Sequence, residues 1–154
     1  MTVVLKPVSI EAATAIAEGR RPEDVQVAED YPTEFSTGVA GSALAGGRAY
    51  FIHSAADDTV VGEIGMAAGE DGAAEIGYAV VDSMQGKGYA TASVEALATI
   101  AQAEDGINRL RAHTPLDRPA SARVLEKAGF EFVGQVTDEH EGETLTVRRW
   151  ERAV

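Results

Sequence analysis

The sequence predicts a single α+β domain, a mixed α/β arrangement with a central, mostly antiparallel sheet of about seven strands. One parallel β-α-β crossover and about four helices complete the expectation. Three observations carry it. Apolar residues alternate, or run in short stretches, at seven places along the chain, as half-buried strands require. Helical spacing appears after Ser9 and again from Tyr89. The chain has 154 residues, a length that ordinarily makes one domain, so 1–154 is read as one unit.

Val3-Val4-Leu5 opens a first strand. Ser9 is placed to cap an Ala-rich helix that Gly19 stops. Pro22-Glu23-Asp24 suits the first turn of a second short helix. Between Tyr31 and Gly47 the pattern loosens, and Gly38, Gly41, Gly46 and Gly47 suggest a mobile loop. Strands follow at 49–53, 60–67 and 74–81, the last two joined by a Gly69–Gly72 hairpin. A helix from Tyr89 to about Gln102 sets Ala90, Val94, Leu97 and Ala101 on one face. After a strand at 110–113, Asp117 is expected to cap a short helix, Pro119 to Lys127, that ends on Gly129. Runs at 130–136 and 144–151 alternate like two antiparallel strands around a turn at 138–142. Strand 74–81, helix 89–102 and strand 109–113 form the crossover.

Net charge is −12, which argues against nucleic acid as a partner, because phosphate binding needs clustered Lys and Arg. No apolar run approaches the roughly 20 residues that cross a bilayer, so no membrane role is expected. The first residues show neither a basic n-region nor an apolar h-region, and the simple reading is a cytoplasmic protein. With no cysteine, a disulfide framework, a thiolate metal site and a cysteine nucleophile are all closed. No metal-ligand set is assigned. Residues 22–82 hold twelve acids and one base, Arg48, whereas 85–127 hold six bases and five acids. That split is either a solvated acidic surface or a division of labour. In the second case an anionic ligand lies over 85–127 and a cationic amine approaches the acidic remainder.

The most informative stretch is Val80-Val81-Asp82-Ser83-Met84-Gln85-Gly86-Lys87-Gly88-Tyr89-Ala90, a strand passing through a glycine loop into a helix. Glycines there permit a tight turn and close ligand approach, and the helix's first amides form an anion site. A P-loop is excluded, because Lys87 is followed by Gly88 and the first P-loop glycine is replaced by Val81. A dinucleotide fingerprint fails as well, since its third glycine is Thr91.

What remains is [QR]-x-x-G-x-[GA], met by Gln85, Gly88 and Ala90. Here the chain resembles the GNAT superfamily of N-acetyltransferases. Val61-Gly62-Glu63-Ile64-Gly65 and Glu75-Ile76-Gly77-Tyr78 are similar to the strands that precede that signature. Ala120-Ser121-Ala122-Arg123-Val124-Leu125-Glu126-Lys127-Ala128-Gly129-Phe130 is similar to the family's second motif, and the form is nearest the ribosomal-protein N-terminal acetyltransferase branch. The resemblance runs from about residue 59 to 134. It implies acetyl-CoA as co-substrate and a strand that bends at a β-bulge before splaying from its neighbour. It also implies that backbone groups of Ala79, Val80 and Val81 meet the pantetheine arm. The amides of Gly86, Gly88, Tyr89 and Ala90 would hold the pyrophosphate, with Gln85, Lys87, Thr91, Arg118 and Ser121 beside it. Arg118 stands where the family usually has Asn, and Arg can only donate hydrogen bonds.

Acetyl transfer needs a neutral amine, and lysine-like amines titrate near 10.4, so a proton must be removed. The resemblance implies Glu75 as general base, off by one residue when counted from Gln85, with Glu63 second; His113, at the end of the strand flanking the cofactor cleft, is a further candidate. The family's proton-donating tyrosine is Leu125 here, leaving Ser121 or Tyr89 for the departing thiolate. The acceptor would be a primary amine, on a small molecule or a protein N-terminus, attacked directly in a ternary complex. A CoA-binding module without catalysis is the alternative, and a homodimer remains open.

Overall fold

Ser9 starts the first helix by the means its position implies: its Oγ accepts the Ala12 N–H at 3.1 Å. From there a computed structural model describes 3–69, 71–140 and 142–154, without the side chains of Asp138 and His140. In chain order the elements are β1 (Val3–Pro7), α1 (Ile10–Ala17), α2 (Ser36–Leu44), β2 (Arg48–Ser54), β3 (Val60–Ala68) and β4 (Ala73–Val80). A 3-10 turn (Asp82–Met84) precedes α3 (Tyr89–Gln102), β5 (Arg109–Pro115), α4 (Pro119–Lys127), β6 (Glu131–His140) and β7 (Glu143–Ala153). The seven strands form one sheet in the order β1-β2-β3-β4-β5-β7-β6. Every neighbouring pair is antiparallel except β4 with β5, which is the expected crossover.

Two helical expectations in the first half are corrected. No helix forms at Pro22. The chain there is drawn out by a bridge between Val27 and Val60, and the Arg21 guanidinium donates to the carbonyls of Ala28 and Glu29. The second helix instead occupies 36–44, inside the segment whose glycines suggest a loop. Burial overrides their weak helix propensity, which costs about 1 kcal/mol per glycine relative to Ala. Ser36 and Ala40 are buried, and Thr33 organises the entry, its Oγ1 accepting the Phe35 N–H while its own N–H donates to Ser36 Oγ. The small residues let α2 lie close on β3: a Cβ at Gly65 would stand 3.6 Å from Val39 Cγ1.

Two further corrections are local. Asp117 does not cap α4; Arg118 occupies that position without a side-chain bond, and Pro119 begins the helix. The last two strands run to His140 and from Glu143, so their turn is shorter than 138–142, and Glu141 lies outside the described residues. So does Glu70 of the expected hairpin. Among the described residues, no helix is long and apolar enough to cross a membrane.

Alternation along the strands sets the two sides of the sheet. Glu63 stands opposite Ala79 and Glu75 opposite Ala67, so both glutamates point to one face, four residues or about 13 Å apart along β4. α1 and α2 cover the Glu63 end of that face. Tyr78 points to the other face, where α4 lies beside α3.

Glu63 is 1% exposed, and among the described residues neither carboxylate oxygen has a partner in good hydrogen-bond geometry, although the hydroxyls of Tyr31 and Ser36 lie close enough to oppose in part the effect of burial. Burial pushes its carboxyl above the usual carboxylate range. Above the unfolded-state value the folded protein therefore still holds a proton that the unfolded chain has lost. Stability should fall as pH rises through that window and level off above the folded-state value. Glu63→Gln should remove this dependence and leave the variant about 1–3 kcal/mol more stable than wild type at neutral pH, measured by urea unfolding at several pH values.

Candidate active site

The site is a fork in the sheet. β4 and β5 pair only at Ala73↔Arg109, Ala74↔Leu110 and Glu75↔Arg111. Beyond Glu75 each strand follows its other neighbour, β4 staying with β3 to Val80 and β5 with β7 to Pro115. The β5 arm is fastened by the Trp150 indole N–H, which donates to Thr114 Oγ1 at 2.9 Å in the core. The β3–β4 register runs without a shift from Gly62↔Val80 to Ala68↔Ala74. The bulge implied for β4 is therefore absent from its ladder with β3.

Which backbone groups face the fork follows from the ladder. Val81 N–H donates to Val61 O, so Val81 and, by alternation, Ala79 turn their amides toward β3. Tyr78 and Val80, beyond the last β4–β5 rung, turn theirs into the opening. Of the three expected positions, Val80 offers backbone to the fork and Ala79 lines the cleft with its side chain. Val81 is fully buried and does not reach it.

The cleft has a volume of about 1090 Å³. Its floor at the open end is the glycine loop. Gly86 and Gly88 have φ of +77° and +91°, a region that L side chains rarely adopt, and a Cβ on either would meet no protein atom. Gly88 caps α3 without a side chain, and the first bond of the helix is Ala92 N–H to Gly88 O. Among the described residues the amides of Tyr89, Ala90 and Thr91 therefore have no backbone or side-chain acceptor, and they open on the cleft with the positive end of the helix dipole. Gln85 ties the loop down by donating from Nε2 to Val80 O and Asp82 Oδ1. Lys87 does not line the cleft; its ammonium lies 3.6 Å from Met84 Sδ.

One wall is α4. Arg118 and Ser121 line it with Arg123 and Lys127, whereas Leu125 is fully buried in the core. The facing wall is the segment from Asp30 to Phe35, which the sequence does not single out. Ser83 donates through N–H and Oγ to Asp30 at 2.9 and 2.8 Å, and the Ser83 amide holds the Asp30 carboxyl below its usual value. Asp30 is thereby committed to anchoring the wall. Arg118 spans the cleft, its guanidinium 4.9 Å from the Phe35 ring centre and 3.9 Å from Glu34. Tyr89 lines the cleft, and its hydroxyl bonds Ser54 Oγ.

Tyr78 is the main residue that sequence reasoning missed. Its hydroxyl donates to the Ser121 carbonyl at 3.2 Å, tying β4 to α4 across the floor where the strand ladder has ended. Burial pushes the phenol up to about 12, so it remains a donor at neutral pH. Only its place in the Glu75-Ile76-Gly77-Tyr78 strand hinted at a role.

The remaining candidates lie on the opposite face. Glu63 is walled off beneath α2. Glu75 sits at the closed end of the fork, outside the cleft lining, with its side chain 62% exposed and its Oε1 2.9 Å from His113 Nδ1. Between Glu75 and Ala79 stands Gly77, where a Cβ would meet no atom within 4 Å, so the sheet surface between the glutamate and the cleft is open there. Among the described residues no cluster could hold a metal ion.

A mixed sheet split at its one parallel pair, with an uncapped helix end at the mouth of the split, defines an acyltransferase-type domain. The chain belongs to the acetyltransferase (GNAT) domain family, which it matches over residues 3–131. No curated protein sequence matches it. Its fold is similar to RimL, a ribosomal α-N-protein acetyltransferase solved with coenzyme A (22% identity, TM-score 0.71, 100% of this chain and 95% of that one). It is similar to AAC(6')-Ib solved with paromomycin and acetyl-CoA (17%, TM-score 0.71, 99% and 94%). A spermidine N-acetyltransferase SpeG chimera from Vibrio cholerae and hSSAT shares the fold too (14%, TM-score 0.71, 99% and 96%).

Removing the Tyr78 hydroxyl tests the tie across the fork. Tyr78→Phe should lower stability by about 0.5–1.5 kcal/mol in thermal or urea unfolding, the usual net worth of one hydrogen bond. Amide exchange should quicken in the first turn of α4 and stay unchanged in β6 and β7.

Proposed function

We propose that the protein transfers an acetyl group from acetyl-CoA to a primary amine, on a small molecule or a protein N-terminus, by direct attack in a ternary complex. The observation that carries this reading is the fork, where among the described residues the Tyr78 backbone and the Val80 amide have no partner and lead to the uncapped amides of α3. The residues fit the co-substrate chemically. Amides of Tyr89, Ala90 and Thr91, with the open space over Gly86 and Gly88, suit a pyrophosphate. Arg118, Arg123 and Lys127 add positive charge on the α4 wall. Backbone of Tyr78 and Val80, beyond the last β4–β5 rung, suits the amide-bearing pantetheine arm.

Bound acetyl-CoA supplies an activated carbonyl carbon. The protein holds that carbonyl beside the amine, which lowers the barrier by orientation alone. Glu75 removes the amine's proton through a water in the open space over Gly77. Counted from Gln85, Glu75 stands one residue off the family's glutamate, and β4 has no bulge to absorb the difference, so what supports Glu75 is its place at the last rung before the fork opens. Ser121 at the cleft surface can donate to the departing thiolate. Absence of cysteine leaves no thiol to carry an acyl-enzyme. A cationic acceptor is favoured by the net charge of −12 and by Glu34 and Asp117 at the cleft. Amine acetylation by the ribosomal-protein and spermidine enzymes of the same fold supports the acceptor class.

Purified protein incubated with acetyl-CoA and a panel of polyamines, aminoglycosides and peptide N-termini should release free thiol with at least one cationic amine. CoA binding without thiol release across the panel would mean a binding module, and preference for anionic acceptors would contradict the charge argument. Gly88→Glu should abolish CoA binding in calorimetry, because it adds a carboxylate and a strained φ where the pyrophosphate would lie. Glu75→Gln should lower kcat by about 10²–10⁴, the usual worth of a general base, while acetyl-CoA affinity is retained.

A further inference from the structure

Two side chains beside Glu75 have no part in the chemistry above. His113 on β5 pairs with Arg149 on β7 in the ladder, so the two stand side by side on the face that carries Glu75. Arg149 Nε lies 3.0 Å from His113 Nε2, and His113 Nδ1 lies 2.9 Å from Glu75 Oε1. A guanidinium has no acceptor, so Arg149 can only donate, and His113 Nε2 must present its lone pair. The ring proton is then on Nδ1, and Nδ1–H donates to Glu75. Arg149 thus selects one neutral tautomer of His113, and that tautomer is the one able to hold the carboxylate.

Neighbouring charges leave this chain of three to itself. Arg111 on β5 bonds Glu151 of β7 at 2.8 Å and Asp71 of the β3–β4 connection at 3.1 Å. Arg109 also bonds Asp71, at 3.0 Å. Among the described residues, the Arg149 side chain has no carboxylate partner, and its one hydrogen bond goes to His113. The location matters too. Glu75↔Arg111 is the last β4–β5 pair, so His113 reaches across the fork just where it begins to open. An exposed glutamate with no fixed donor samples several rotamers, whereas one held at Oε1 keeps Oε2 aimed in a single direction.

We infer that His113, locked as its Nδ1–H tautomer by Arg149, is a positioning residue that fixes the Glu75 carboxylate at the closed end of the fork. This rests on Glu75 being the base. In the step it serves, the acceptor's ammonium loses a proton through water to Glu75 Oε2 and on to solvent, and the neutral amine that results attacks the thioester carbonyl. His113 keeps its own proton throughout and stays neutral. The arrangement follows the logic in which a base is itself oriented by a third group.

Long-range ¹H–¹⁵N NMR distinguishes the two histidine tautomers, with His113→Asn used to assign the signal. The wild type should show His113 protonated at Nδ1, and Arg149→Met should convert it to a mixture. A wild-type His113 protonated mainly at Nε2 would overturn the lock, whatever the enzyme's activity. In kinetics, His113→Leu should lower kcat about tenfold or more with KM for acetyl-CoA unchanged, as loss of an orienting partner does. His113→Asn, whose amide nitrogen stands near the Nδ1 position, should recover most of that loss. Wild-type kcat in His113→Leu, with Glu75→Gln impaired, would overturn the positioning role and leave Glu75 as base. Wild-type kcat in both would overturn the role of Glu75 as well.

Discussion

Everything at the site depends on β4 and β5 parting company after three residue pairs. A parallel pair in the middle of a sheet normally continues until one strand ends, because each lost rung leaves backbone donors and acceptors unpaired. Here both strands continue, each satisfied on its other side, and the inner edges are left facing a cleft. The fold tolerates this because the gap is bridged by side chains where the backbone no longer meets. Tyr78 reaches α4, Arg118 reaches the Phe35 wall, and His113 reaches Glu75. What would be a defect in a storage or scaffold protein is here a row of ready hydrogen-bonding groups leading to a helix end.

The strand between the two faces then separates two tasks. Odd-numbered residues of β4 look toward α1, α2 and the open sheet surface, where Glu75 sits in water. Even-numbered residues look toward α4, where Tyr78 is half-buried. A group lying in the fork would have a solvated carboxylate on one side and an enclosed, neutral hydroxyl environment on the other. That asymmetry suits a reaction that removes a proton from one partner and returns one to another. Glu63 shows why face alone is insufficient: it shares the face of Glu75 but is sealed under α2, so its carboxyl is pushed up and kept from the cleft.

Much of this was legible in the residues. The glycine loop could be read because its requirement is local: Gly86 and Gly88 occupy left-handed backbone that few other residues accept. The seven strands and the crossover followed from hydrophobic periodicity, which burial enforces directly. The α2 helix was not legible, because Gly38 and Gly41 carry a loop signal and the compensating contact with β3 lies more than twenty residues away. Asp117 looks like a cap, yet the chain turns one residue later at Arg118. Tyr78 escaped for a different reason. Its value comes from the fork, and nothing in one sequence marks the residue at which two strands separate. Val81 and Lys87 were drawn into the expected site by proximity in sequence, whereas the strand ladder and the loop's curvature turn them away.

The free inner edge of β4 is the central claim, and amide exchange resolves it residue by residue. With saturating CoA, the amides of Tyr78 and Val80 should gain protection, together with those of Tyr89, Ala90 and Thr91. Ala79 and Val81, whose amides face β3, should change little. Strong CoA binding with unchanged exchange at Tyr78 and Val80 would show that the arm does not pair with this strand, and the account of the fork would be wrong.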